Sequence, residues 1–364
     1  MGSLSLYFHI LVVLQCFVVL CLAKDLPAMF IFGDSLVEAG NNNYIVSLSK
    51  ANYAPNGIDF GKPTGRYTNK RTIVDVIGQE FGYNYYIPPY LDPTTVGDVV
   101  LKGVNYASGG GGILNRTGYI FGGRINMDAQ IDNFANTRQD IISSIGSVAA
   151  SKLLEKAFVG IIMGSNDFLD NYLVPAIVGM PPETSPEEFV DSLIYTFRPQ
   201  LTRLYRLGTR KIVVSNVGPI GCTPYQRDFN PPKAGDSCVE SSNHLAKLFN
   251  TKLKSLIIEL NSNLPGSKFL YANVYDVFND VVVNYKSYGF ENPSSGCCHL
   301  AGKHGGIVPC GPPCNVCPDR SKYVFWDAYH PSDACNVIIA QKLVNGDANA
   351  IYPMNLRQLF LSSV

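Results

Sequence analysis

Met29-Phe30-Ile31-Phe32-Gly33-Asp34-Ser35 reads as a short buried strand that stops at a glycine and delivers an aspartate and a serine at its carboxyl end. Two further stretches repeat that pattern. Residues 99–107 are strand-like and run into Ser108-Gly109-Gly110-Gly111-Gly112, and residues 157–163 are apolar and stop at Gly164-Ser165-Asn166-Asp167. Between and after them the periodicity changes to that of helices. Ile73, Val74, Ile77 and Phe81 share helical spacing. Ser185-Pro186-Glu187-Glu188 is a capping box with proline at the first helical position, opening a helix to about residue 207. Leu245, Leu248, Phe249, Leu253, Leu256, Ile257 and Leu260 mark a long amphipathic helix. Strand character returns at 211–215 and 269–272. Helices are expected over 274–285 and from Pro331-Ser332 to about residue 343.

Strands alternating with helices predict an α/β fold with a mostly parallel sheet covered on both faces. In such sheets ligands bind beyond the carboxyl ends of the strands. Ser35, Gly110 and Asn166 each follow a predicted strand, so three motifs distant in sequence should meet at one sheet edge. The expected organisation is a signal peptide over residues 1–23 and one domain over 24–364, since no linker or repeat divides the remainder.

The first 23 residues lack Lys, Arg, Asp and Glu; residues 10–22 are apolar apart from Gln15, and small Ala23 precedes Lys24-Asp25. This is the pattern of a cleaved secretory signal. The alternative is an uncleaved anchor, but residues 7–23 sit at the lower limit for spanning a bilayer. No second membrane-spanning run follows. Eight of the ten cysteines lie beyond residue 23, an even number that suits disulfides in an oxidising compartment. Cys222 and Cys238 flank one loop and are expected to pair; the connectivity of the other six stays open. Cys310, Cys314 and Cys317, near His299 and His304, also have zinc-like spacing, but disulfides fit an extracellular chain better. Asn115-Arg116-Thr117 is the one glycosylation sequon.

Formal net charge is zero, which leaves no electrostatic footprint for nucleic acid. Charged residues make up 16% of the chain against a usual share of about 25%, a balance suited to a rigid extracellular protein. Four histidines follow the signal region. Of these, His330 stands behind an aromatic run and three residues after Asp327. In a turn, that spacing can set a carboxylate against the imidazole, fixing its tautomer. Ser35 would then have a base to activate it, and the Asn166 amide and glycine N–H groups could face a developing oxyanion. A Gly-x-Ser-x-Gly elbow on a strand-to-helix turn is absent, as is a phosphate loop. Nothing implies a metal or organic cofactor.

Phe32-Gly33-Asp34-Ser35-Leu36-Val37 with Gly40-Asn41-Asn42-Asn43, Gly103-Val104-Asn105-Tyr106-Ala107-Ser108-Gly109-Gly110, Gly164-Ser165-Asn166-Asp167 and Phe325-Trp326-Asp327-Ala328-Tyr329-His330-Pro331 resemble, in this order, the four blocks of the plant GDSL-type esterase/lipase family of the SGNH hydrolase superfamily. The resemblance runs from Phe30 to about residue 343. It implies a flavodoxin-like three-layer α/β/α sandwich around a five-stranded parallel sheet. It also implies a serine esterase or lipase acting on acyl esters, lipid-like ones favoured, with Ser35 as nucleophile, His330 as base and Asp327 orienting it. The oxyanion donors implied are the Ser35 N–H, a glycine N–H at Gly110 or the adjacent Gly109, and the Asn166 side chain. Partners would be small-molecule or lipid esters, and the location secreted, the cell wall included; oligomeric state is not assigned. An acyltransferase using the same acyl-enzyme, or a non-catalytic binding protein on the same fold, are the alternatives. Glu38 stands where the family has Asp, Lys70 where it often has Gly, and Cys314 and Cys335 are extra. Tyr44, Tyr53, Phe60 and Tyr67, with Tyr83, Tyr85, Tyr86 and Tyr90, either line an acyl groove or pack loops onto the domain.

Overall fold

In a computed structural model of the chain, residues 26–174, 180, 182–230 and 236–362 are described; the expected signal segment lies outside them. The central sheet contains β1 (Met29–Gly33), β2 (Gly103–Asn105), β3 (Phe158–Ile162), β4 (Lys211–Ser215), β5 (Lys268–Ala272) and β6 (Ile351–Tyr352), in the spatial order β6-β5-β4-β3-β1-β2. The first five are parallel. The two-residue β6 pairs antiparallel with β5 and closes that edge. The expected five parallel strands are therefore present, and the sheet has a sixth, antiparallel strand besides.

Each strand feeds both faces because side chains alternate along it. Phe30, Phe32, Val159, Ile161, Ile212, Val214, Phe269 and Tyr271 point into one core. There they meet the helices Met127–Ile145, Ser147–Lys156, Pro186–Arg206 and Glu240–Asn263. Met29, Ile31, Val213, Leu270 and Ala272 point into the other. That side is covered by Ile73–Glu80, Val274–Val283, Asp333–Asn345 and Leu356–Leu361. The result is the three-layer α/β/α sandwich. Phe134 shows how the first core is filled: its ring meets Phe30 at 5.1 Å and Phe32 at 5.6 Å, edge-on. Burying such a side chain contributes about 1.5–3 kcal/mol.

Several local expectations hold. The Ser185 hydroxyl accepts from Glu188 N at 3.2 Å while Glu188 accepts from Ser185 N at 2.9 Å, forming the capping box that opens Pro186–Arg206. Others are corrected. The expected strand over 99–107 is confined to Gly103–Asn105, and the residues before it form the 3-10 turn Gly97–Lys102, where Val99 is exposed. The helix expected over 274–285 ends at Val283, with a 3-10 turn Tyr285–Tyr288 after it.

The long 40–69 loop is tied down by arginine forks. Arg66 makes a buried bidentate pair with Asp75, Nε to Oδ2 at 2.7 Å and Nη2 to Oδ1 at 2.9 Å. Arg320 clasps Asp59, and Arg71 clasps Asp333, so the second half of the loop and the residues just after it are fastened to the C-terminal third. Cys222 pairs with Cys238 as expected; Cys297 pairs with Cys317 and Cys298 with Cys310, while Cys314 and Cys335 are free. Thus two of the three cysteines at zinc-like spacing are spent in disulfides. His304 is buried between Asp228 (Nδ1, 2.8 Å) and Asp236 (Nε2, 3.2 Å), which ties this cysteine-rich loop to the short helix Pro224–Phe229. No described helix is long and apolar enough to cross a membrane.

Candidate active site

The strand order 2-1-3-4-5 reverses direction between β1 and β3, and the crevice at such a switch point is where open α/β sheets bind ligands. Ser35 lies at that point. Gly33 is needed there, because a Cβ would run into the Ile162 carbonyl oxygen of β3. Asp34 N donates to that same oxygen at 3.1 Å, and Leu36 N and Val37 N fold back onto Asp34, leaving Ser35 at the head of a tight turn. From the neighbouring layer Gln130 grips the strand end: its Oε1 accepts from Gly33 N at 2.9 Å and its Nε2 donates to Gly33 O at 2.8 Å.

The structure brings the sequence-predicted residues together. His330 Nε2 lies 2.7 Å from Ser35 Oγ, and His330 Nδ1 lies 2.8 and 3.0 Å from the two Asp327 oxygens. Asp327 Oδ1 also accepts from the backbone N–H groups of Tyr329 and His330 at 2.9 and 2.8 Å, so the Asp-x-x-His turn closes on its own carboxylate. With Nδ1–H donated to Asp327, the Nε2 lone pair faces the serine hydroxyl. The loop is braced from both sides. Trp326 N donates to His330 O at 2.7 Å, Trp326 Nε1 donates to Asn56 Oδ1 at 2.9 Å, and the Tyr67 ring lies 5.0 Å from the imidazole.

Gly110 and Asn166 line the same cavity as Ser35 and His330. Ser108 O accepts from Gly111 N at 2.9 Å, and Gly110 takes φ +79°, the turn position that favours glycine. Among the described residues the N–H groups of Ser35 and Gly110 have no acceptor, whereas Gly109 N is bonded to Glu38 Oε2. Of the two glycines left open by the sequence, only Gly110 therefore has its N–H free. One amide hydrogen of Asn166 is donated to Gly111 O at 2.9 Å, leaving the other unspent.

Glu38 and Gln130 are the residues that sequence reading undervalued. Glu38 bonds Asn42 N at 2.6 Å as well as Gly109 N, and Asn42 Nδ2 donates to Gly109 O at 2.9 Å, so the first block carries the second. Burial pushes the Glu38 carboxyl up to about 8, against the pull of its two N–H donors. Asp167 accepts from Ile113 N, Leu114 N and Thr117 Oγ1 and so holds the loop that presents the exposed Asn115; burial still pushes it up to about 6. Tyr53 and Tyr67 line the cavity, whereas Tyr44 bonds Asp92 at the surface and Phe60 packs against Tyr86, so of the two readings left open the groove fits the first pair and loop packing the second. His244 is exposed on its helix, and no group of three or more His, Cys, Asp or Glu suited to a metal ion occurs among the described residues.

Asp34 yields a stability prediction. Its Oδ2 is buried without a partner, and burial pushes its carboxyl from 3.8 up to about 7. A carboxyl raised in the folded state contributes stability below its unfolded value, and that contribution is lost as pH rises through the folded value. Asp34→Asn, which stays neutral and can still accept from Leu36 N, is expected to flatten this group's share of the decline between about pH 4 and pH 7. Urea unfolding at pH 4.5 and 7.5 measures it; an equal decline in variant and wild type would refute it.

The family model described as GDSL-like Lipase/Acylhydrolase matches residues 29–343. The chain belongs to that family. The Arabidopsis thaliana protein named GDSL esterase/lipase At4g16230 is 59% identical over 341 residues, covering 93% of this chain and 92% of the relative. GDSL esterase/lipase At3g50400 of the same plant is 51% identical, covering 92% and 91%, and its GDSL esterase/lipase 7 is 44% identical, covering 92% of each. The GDSL match begins at the first residue of β1 and ends two residues short of the last one in helix Asp333–Asn345, so it takes in all four blocks of the site.

Proposed function

We propose that the protein is a secreted serine esterase of the lipase type, one hydrolase domain over residues 24–364 behind a signal peptide at 1–23. It hydrolyses carboxylic acyl esters, lipid-like ones in preference. The observation that carries this reading is the Ser35–His330–Asp327 chain of contacts, 2.7 and 2.8 Å, opening on a cavity that also holds the free Gly110 N–H and the Asn166 amide. Ser35 Oγ attacks the ester carbonyl as its proton passes to His330 Nε2. Asp327 stabilises the imidazolium that forms. The oxyanion takes hydrogen bonds from Ser35 N, Gly110 N and Asn166 Nδ2. His330 then protonates the leaving alcohol, and water repeats the cycle on the acyl-enzyme.

The lipid preference draws support from the wall beside Gly110. Phe121 packs on that glycine. Ser47 and Gly122 form an antiparallel bridge, which sets Leu48 opposite Phe121 on the cavity side, and Val46 continues the same face into solvent at 93% exposure. An acyl chain leaving the oxyanion site along this face would meet the side chains of Phe121, Leu48 and Val46. Three disulfides support an oxidising compartment, and exposed Asn115 is open to glycosylation.

The test combines a covalent label with a chain-length series. A fluorophosphonate is expected to add once, at Ser35, and p-nitrophenyl esters from acetate to palmitate should show an optimum beyond butyrate. A folded protein that neither labels nor turns over any ester overturns the reading; labelling with an acetate optimum removes the lipid preference alone.

A further inference from the structure

One polar group in the cavity has no part in the steps above. Asp170 lies in the π-turn Phe168–Tyr172 that follows Asn166, a local irregularity common at functional sites. It is 8% exposed and lines the cavity with Ser35, Asn166 and His330. Its carboxyl makes no hydrogen bond with any described residue, in contrast to Asp167, which accepts three. Its oxygens stay open to the cavity, so a polar group of a bound ligand can take the hydrogen bonds that the protein leaves unmade.

The surroundings say which ligand. Burial and the nearby Asp34 and Asp167 push the Asp170 carboxyl up to about 7, against the pull of His330. Tyr329 lines the same cavity; its ring lies 5.9 Å from that of His330 and 4.7 Å from that of Tyr225 behind it. The Tyr329 phenol oxygen is not bonded to a described residue. This corner is therefore polar and on the side of His330, whereas the Phe121–Leu48 face on Gly110 is apolar. His330 must hand its proton to the leaving alcohol, so the alcohol half of the ester belongs near His330 and the acyl half along the apolar face. A hydroxyl both donates and accepts and so satisfies the carboxyl in either protonation state. An ammonium group would satisfy only the ionised form, and an alkyl group neither.

We infer that Asp170, with the phenol hydroxyl of Tyr329, forms a subsite for free hydroxyl groups on the alcohol half of the substrate, so that esters of polyhydroxy alcohols are preferred. This rests on the esterase reading and specifies its alcohol side; the same subsite would seat a polyhydroxy acceptor if the acyl group were transferred instead of hydrolysed.

Three soluble butyrate esters test it: ethyl, monoglyceryl and choline. For the wild type, kcat/KM is expected to be higher for the glyceryl than for the ethyl ester. Asp170→Leu should cut that ratio about tenfold, or about 1.4 kcal/mol, mainly through KM for the glyceryl ester. Asp170→Asn, which still donates and accepts, should retain part of the preference. A glyceryl-to-ethyl ratio of one in the wild type, a ratio unmoved in Asp170→Leu, or a loss confined to the choline ester each overturns the inference. If Asp170→Leu does not fold, the wild-type ratio and Asp170→Asn decide. Ethyl butyrate turned over with a flat ratio defeats only the hydroxyl subsite; a folded wild type inactive on all three esters and on the longer p-nitrophenyl esters, and not labelled by the fluorophosphonate, defeats the esterase reading with it.

Discussion

Ser35→Ala is expected to lower kcat on any ester by about 10⁴- to 10⁶-fold while the protein stays folded. Ser35 Oγ is the atom that faces His330 Nε2, and the bonds that shape its turn are made by the backbone of Gly33, Asp34, Leu36 and Val37 and by the Asp34 side chain. Alanine therefore deletes the nucleophile and little else. Its melting temperature should stay within about 2 °C of the wild type, as for a substitution that opens no core cavity. More than about one per cent of wild-type turnover in a pure preparation would mean that a different group attacks the ester, and the mechanism would have to be rebuilt around it.

Asp327→Asn is expected to cost about 10⁴-fold in kcat for a different reason. The asparagine carbonyl can keep the bonds from Tyr329 N and His330 N, so the turn survives. Its amide hydrogens, however, would point at His330 Nδ1. That favours the tautomer with the proton on Nε2, which cannot accept from Ser35. Fluorophosphonate labelling should slow in parallel with ester turnover, since both need the activated serine. A variant that labels at the wild-type rate would reduce Asp327 to a residue that merely shapes the loop.

The parts of this fold visible in the sequence are those where apolar residues follow one period. β1, β3, β4 and β5 are continuous apolar runs ended by glycine or polar residues, and Glu240–Asn263 repeats leucine at helical spacing. Met127–Ile145 was not expected, although Met127, Ile131, Phe134 and Ile141 are buried on one side of it, because Gln130 and Thr137 occupy two positions of the same stripe. Gln130 is polar there because it grips Gly33, so a functional demand hides the helix. β6 is two residues long and carries no period at all. In the candidate site, the meeting of Ser35, Asn166, Asp327 and His330 was legible because each stands next to a strand end or in a turn of recognisable spacing. The choice between Gly109 and Gly110 was not legible, since it depends on which N–H the distant Glu38 side chain consumes. Asp170 was passed over because nothing local distinguishes an aspartate aimed into a cavity from one on a surface.

The Cys298–Cys310 bridge reaches further than the loop it closes. Pro309 and Cys310 stand in the wall of the cavity that holds Ser35 and His330, while Ser35, Asp327 and His330 are all carried by segments without a cystine. Thiol oxidation thereby fixes part of that wall, and because Cys297 N and Cys298 N donate to Phe325 O and Trp326 O at 3.1 and 2.6 Å, it also braces the strand that leads into Asp327. A chain made in a reducing cytosol would lack one fixed side of the mould and one brace of the loop that holds Asp327 and His330, so its behaviour would be set by where it matured as well as by its genes.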